Sequence, residues 1–234
     1  MPARRIVSEE PSRVRRRVAP RHRRSAHLVA VIVDDVAGPE FDGESFAEAY
    51  FAGETWSERT YTDCTFVDAD LTDLSTRSVV FDGCDFTGAN LADSTHRSSA
   101  FRNCTFRRAQ LPGLTMTDCS LVGSVITESR TQRWKLVDCD LTLVSLAGLA
   151  LVNADLTGCR LREANLGESD LTGCDLSGAD LTSVRAIGAI LRNATLLGAR
   201  IDPVFWRQAK VEGARVDAHH AMEFAIAHGL RVGD

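Results

Sequence analysis

Seven cysteines, six histidines and 32 carboxylates are the side chains of this sequence with the most obvious capacity for chemistry. Cys64, Cys84 and Cys104 follow one another at intervals of twenty, as do Cys119, Cys139 and Cys159, and Cys174 stands fifteen further on. A structural zinc site wants short paired spacings such as C-x2-C, and none occurs. An interval of twenty suggests instead one thiol per layer of a repeating structure, with cysteine acting as a small buried hydrophobe. Thiols stacked about 4.8 Å apart could approach disulfide distance, but a reducing compartment disfavours the bond. No nucleotide loop of the form G-x-x-x-x-G-K-[ST], no H-E-x-x-H and no G-x-S-x-G is present. The expectation is a binding protein, not an enzyme, with no catalytic residue, metal or cofactor. The sequons at Asn103 and Asn193 fall inside the repeat and read as accidental.

The interval of twenty is four units of five. Every fifth residue from Phe41 to Val216 gives 36 positions, of which 33 are apolar or aromatic; Thr76, His96 and Thr131 are the exceptions. A second column two residues earlier, Cys64 to Ala214, holds 31 positions, and 27 of them are Ala, Cys, Ser or Val. Its outliers are Leu74, Leu114, Trp134 and Leu149. All seven cysteines lie in it. A period of five fits neither the 3.6 of a helix nor the 2 of a strand. It fits a chain that turns a corner every five residues, sending one large and one small side chain inward. Four sides close a coil, and stacked coils pair through backbone hydrogen bonds. Gly two residues after the large position, as at Gly83, Gly88, Gly158, Gly173 and Gly178, suits a tight corner.

These residues resemble the pentapeptide-repeat family over 41–216. The resemblance implies an all-β solenoid, a right-handed quadrilateral β-helix of about nine coils. Three parts are expected: residues 1–38, a basic N-terminal extension and cap; 39–216, the repeat; and 217–234, a capping or dimerisation helix. Within 217–234, Asp217 is placed to cap and Gly229 to end an eleven-residue helix with an apolar stripe of Ala221, Met222, Ala225 and Ile226. Leu28 to Val33 can add a strand over the coil at Phe41. No apolar run approaches the roughly 18 residues needed to cross a bilayer, and no secretory signal is apparent, so a cytoplasmic location is expected.

His96 sits in the large column between Thr76 and Met116 of the neighbouring coils, beside the oversized Leu74 and Leu114. Two readings stay open: a hydrogen-bonded buried imidazole in a locally bulged wall, or a recognition surface or flexible point.

The net charge of −5 conceals an asymmetry. Residues 1–30 carry nine Arg against Glu9 and Glu10, whereas residues 34–93 hold fifteen acids against Arg59 and Arg77. Without apolar periodicity, residues 1–25 are expected to be disordered. The acids that cluster where compensating bases are few are Asp63, Asp68, Asp70, Asp73, Asp82, Asp85 and Asp93. Duplex DNA presents about one negative charge per 1.7 Å, and a rigid acidic rod can offer carboxylates where a basic channel expects phosphates.

Several stretches, among them Asn90–Ser94, Ser99–Phe106, Gly158–Glu163 and Asp202 to Leu230, are similar to the mycobacterial fluoroquinolone-resistance branch of the family. That resemblance implies a DNA-mimicking homodimer, joined through its C-terminal ends, that binds DNA gyrase, a type II topoisomerase, and modulates fluoroquinolone action without contacting DNA through the repeat. For the dimer interface it directs attention to Phe205, Trp206, Met222, Phe224 and Ile226. The rival readings are an interaction scaffold with a partner other than a topoisomerase, and a nucleic-acid binder acting through the arginine-rich arm.

Overall fold

The protein is described by a computed structural model covering residues 16–17, 30–31 and 38–232. From Glu40 onward the chain winds in parallel register, each residue pairing with the one twenty positions on. Phe41 pairs with Tyr61, Tyr61 with Phe81 and Phe81 with Phe101, and the same offset recurs as far as Thr195 with Arg215. Backbone bonds run to both neighbouring coils: Asp70 N–H donates to Ala49 O at 2.8 Å, and Leu71 N–H to Asn90 O at 2.7 Å. Eight full turns separate Phe41 from Ile201. The remainder is a broken ninth, where one side is replaced by the four-residue helix α1, Phe205–Gln208. The expected nine coils are thus eight and a fraction.

Packing explains the regularity. Both sequence columns point inward, and Leu156, Leu161 and Leu166 are fully buried beside Ala154, Cys159 and Ala164. In the first four coils the large column is aromatic on two of the four sides. Phe41, Tyr61, Phe81 and Phe101 stack at centroid distances of 4.8, 5.0 and 4.6 Å. Phe46, Phe66, Phe86 and Phe106 stack beside them at 5.0, 4.9 and 4.8 Å. These spacings equal the strand separation of a sheet, so ring stacking and backbone pairing reinforce each other. Eight turns at this rise make a rod about 38 Å long.

The wall around His96 is not bulged. Thr55–Ser57, Ser75–Arg77, Thr95–Arg97, Thr115–Thr117 and Lys135–Val137 form a five-stranded sheet in unbroken register. The polar intrusions are absorbed by hydrogen bonds. Ser94 Oγ donates to Leu91 O at 2.8 Å and so accepts from His96 Nε2 at 3.1 Å, leaving His96 Nδ1 to accept from Thr76 Oγ1 at 2.8 Å. With both nitrogens bonded and the ring buried, desolvation pushes the imidazole pKa down to about 3. Trp134 is accommodated similarly, its Nε1 donating to Leu111 O at 2.8 Å.

All seven cysteines are buried and free. Each Sγ lies within reach of a backbone carbonyl, as for Cys159 with Leu136 O at 3.1 Å and Cys174 with Leu151 O at 2.8 Å. Burial pushes the Cys174 thiol up to about 12, which keeps it protonated and unreactive.

Two differences from expectation lie at the ends. Ala30–Val31 is extended, but pairs antiparallel with Arg16–Arg17 in a separate two-stranded sheet and not with the coil at Phe41. The rest of the arm expected to be disordered lies outside the described residues. At the other end, helix α2 spans Ala218–Ala227 and closes at Gly229 (φ 88°), with Leu230 N–H bonding back to Ala225 O. Asp217 precedes it without a side-chain cap; its Oδ2 instead accepts from Gly198 N–H at 2.6 Å, tying α2 to the coil beneath.

Candidate functional surface

With two positions of every five turned inward, the other three form the surface, and each imposes its own chemistry. The residue just before the large one carries the inter-coil bridge. When it is Asp, its carboxylate accepts from the backbone two residues on: Asp70 Oδ1 takes Thr72 N–H at 3.1 Å and Thr72 Oγ1 at 2.6 Å, and Asp85 Oδ1 takes Thr87 N–H at 2.8 Å. The residue two after the large one adopts a left-handed corner, where Asp63, Asp68, Asp73 and Asp93 have φ between 49° and 56°. Asp and Gly enter that conformation more readily than other residues. Acids are therefore favoured at corners for structural reasons and delivered to the surface as a consequence.

The seven candidate acids divide accordingly. Asp63, Asp68, Asp73 and Asp93 are exposed corner residues, whereas Asp70, Asp82 and Asp85 are half-buried along the sides. They occupy three of the four sides and two successive coils, so they form a belt around one pole and not a single flat face. Asp82 is partly neutralised by Arg102 at 3.1 Å and Asp93 by Arg133 at 3.2 Å. The other five have no ion pair among the described residues.

Charge changes sign along the rod. Residues 40–99, three coils, hold thirteen acids and three bases. Residues 100–139 reverse this with six bases, Arg102, Arg107, Arg108, Arg130, Arg133 and Lys135, against Asp118, Glu128 and Asp138. Residues 140–199 return to seven acids against four bases. Over the first three coils, about 14 Å at the sheet spacing, the net charge of −10 amounts to about one per 1.4 Å, close to the one per 1.7 Å of DNA.

Comparison with known proteins agrees with this geometry. A model of the pentapeptide repeat region matches residues 54–131, and a model of pentapeptide repeats matches 135–162 and 159–198. The chain belongs to the pentapeptide-repeat family. Among solved structures, full-length QnrB1, a plasmid-mediated fluoroquinolone resistance protein, superimposes with a TM-score of 0.74 at 21% identity, covering 83% of this chain and 98% of that one. A trypsin-treated form of QnrB1 gives 0.64 at 18% identity over 83% and 99% of the two chains. These likenesses establish the shared solenoid. No curated protein sequence matches.

In this pentapeptide-repeat rod the five residues expected at a dimer interface lie at the C-terminal end but in two layers. Phe205 and Trp206 are buried, and Trp206 packs edge-on against Phe224 with ring centroids 6.1 Å apart. They support α2 from beneath. Met222 and Ile226 lie on the outer side, 48% and 59% exposed and continued by Leu230 and Val232, while Phe224, 37% exposed, stands at the edge between the layers. Toward the solenoid α2 turns His220, which is buried, and Glu223 and Ala227, which are partly so. Of the expected stripe, Ala221, Met222 and Ile226 are exposed and Ala225 is partly buried.

Sequence reasoning passes over two features. One is the basic belt of residues 100–139, visible only when charge is counted coil by coil. The other is the grouping of Asp217, His219 and His220 at the start of α2, whose side-chain donor atoms lie within 4.8 Å of one another. Its signal is an Asp two and three residues before a His pair, which helix capping alone does not explain. No helix among the described residues is long and apolar enough to cross a membrane.

Proposed function

We propose that the chain is a DNA-mimicking binder of DNA gyrase that inhibits or modulates the topoisomerase and thereby reduces fluoroquinolone action, working as a homodimer through its C-terminal ends. The observation that carries this reading is the charge density of the first three coils, which approaches that of duplex DNA. A preformed rod loses little conformational freedom on binding, and a basic channel shaped for DNA offers complementary groups. The similarity of several stretches to the mycobacterial resistance protein MfpA supports the choice of partner, and QnrB1 is described as a fluoroquinolone resistance protein. The domain division adopted is residues 1–38, 39–216 and 217–234, with recognition assigned to the early coils and dimerisation to the last segment. Joining two copies at their C-terminal ends would set the two acidic poles at opposite extremes of a longer rod.

The test is gyrase supercoiling of relaxed plasmid with increasing protein, with and without a fluoroquinolone, using the full chain and a form beginning near Ala26. Inhibition without drug, or fewer drug-induced double-strand breaks, is expected in both forms. Loss of the effect on removal of the arm would transfer function to the arginine-rich segment. A folded protein without effect in either form would leave an interaction scaffold for a partner other than a topoisomerase.

A further inference from the structure

Among the described residues, three buried side-chain polar atoms have no hydrogen-bond partner: Trp206 Nε1, His220 Nδ1 and Glu223 Oε2. All belong to the junction between α2 and the last coil, while the polar groups inside the rod around His96 are paired. His220 is the informative one. Its ring is 1% exposed, and Nε2 lies 3.1 Å from Ala199 O. A carbonyl only accepts, so Nε2 carries a hydrogen and the other nitrogen, Nδ1, faces outward with its lone pair. What it faces is Asp217 Oδ2 at 3.7 Å, beyond hydrogen-bond distance, with the exposed His219 ring 3.9 Å from its own. A lone pair directed at a carboxylate, inside a buried pocket, calls for a positive charge between them.

We propose that Asp217, His219 and His220 form a binding site for a divalent transition-metal cation of the zinc type. The donor set is two imidazoles and one carboxylate, which suits zinc and its neighbours and leaves a fourth position for water. Ligands at about 2.0–2.2 Å around a tetrahedral ion lie roughly 3.3–3.5 Å from each other. Asp217 Oδ2 and His220 Nδ1 are within a few tenths of an ångström of that, and the exposed His219 side chain is free to swing the remaining distance.

The outer contacts are those of a built site. Ala199 O fixes the His220 tautomer, and Gly198 N–H donates to Asp217 at 2.6 Å. Both come from one strand of backbone on the coil below, so the ion would fasten α2 to the solenoid. The positive end of the helix dipole opposes a bare cation here, and the Asp217 carboxylate offsets it. The site is independent of the gyrase reading.

The test uses tag-free, full-length protein kept reduced, titrated with Zn²⁺ by calorimetry and with Co²⁺ by visible absorption. One Zn²⁺ per chain is expected, with a rise in melting temperature and four-coordinate Co²⁺ bands of nitrogen and oxygen ligation. His219→Ala and Asp217→Asn are each expected to weaken binding by about tenfold or more. His219 is exposed and alanine favours helix, so that variant folds. Zinc binding of equal strength in wild type and His219→Ala would place the metal elsewhere, at thiols or the N-terminal arm, and overturn the proposal. So would no binding at all, or a Co²⁺ spectrum of sulfur ligation. Stabilisation of α2 by acid but not by zinc would assign the gap to a proton and also overturn it.

Discussion

Asp63 turns its corner in the left-handed region (φ 49°) and lays its carboxylate over the corner of the next coil, where Gly83 stands. A Cβ at Gly83 would meet Asp63 Oδ1 at 2.2 Å, and Asp68 stands over Gly88 and Asp93 over Gly113 at 2.0 Å. The acids of the surface and the glycines twenty residues on are therefore one device. Gly83→Ala is expected to destabilise by about 1–2 kcal/mol from the left-handed conformation alone, with the contact added. Asp63→Gly, which removes the carboxylate and keeps the left-handed corner without strain, should in that background restore part of the loss, a non-additivity read from urea denaturation of the four variants. Additive effects would show that the two positions do not touch. His96 supports a second prediction. Its folded pKa of about 3 lies below the unfolded value near 6.5. Between those values the unfolded chain binds the extra proton, so this contribution to stability is whole above about pH 6.5 and declines toward pH 3, at up to about 1.4 kcal/mol per unit. His96→Leu should lower stability at pH 7.5, because Thr76 and Ser94 each lose a buried hydrogen-bond partner, yet flatten the acid slope. Equal slopes in both proteins would contradict the buried neutral imidazole.

The coil is legible because its period has no competitor. Leu156, Leu161 and Leu166 recur every five residues, and no helix or sheet face repeats at that interval. The small column is equally plain, and the seven cysteines within it are buried. What escaped was a change of element where the register continued in sequence but not in space. Val204 stands where a small inward residue belongs, yet it is 56% exposed, because α1 turns Phe205 inward in its place. Asp202-Pro203 is a helix-start pattern, yet the column runs on through Trp206, Val211 and Val216 without a break in sequence. His96 misled for the opposite reason: a polar residue in an apolar column reads as disruption, although Ser94 and Thr76 supply its partners locally. The two layers at the C-terminal end make the interface assignment testable. Met222→Glu with Ile226→Glu is expected to shift sedimentation from dimer to monomer and leave the melting temperature nearly unchanged. Trp206→Ala should instead cost roughly 3–5 kcal/mol of stability, as large buried aromatics do. Monomer in both cases with unchanged stability would contradict the layering.

Along the whole molecule, charge is the property that varies while the backbone repeats. An acidic pole of three coils precedes a basic belt of two, and mimicry of DNA by charge predicts that only the pole matters for gyrase. The corners allow a clean experiment, since Asn is tolerated in the left-handed region almost as Asp is, and Asn90 already makes the same turn bond that Asp70 and Asp85 make. Changing Asp63, Asp68, Asp70, Asp73, Asp82, Asp85 and Asp93 together to Asn moves the first three coils from −10 to −3 with their hydrogen-bonding shapes kept. Single changes should be nearly silent, because each removes about a tenth of a distributed field screened over about 8 Å at physiological salt. The sevenfold variant is expected to lose gyrase inhibition by more than about tenfold, chiefly through slower association, and to lose the salt dependence of binding with it. Arg107→Gln, Arg108→Gln and Arg130→Gln, made together in the belt, should weaken nothing. If the sevenfold variant folds and inhibits as well as the parent, shape and not charge recognises the partner. If one substitution among the seven carries the whole effect, recognition rests on a specific contact, and the resemblance to DNA is incidental.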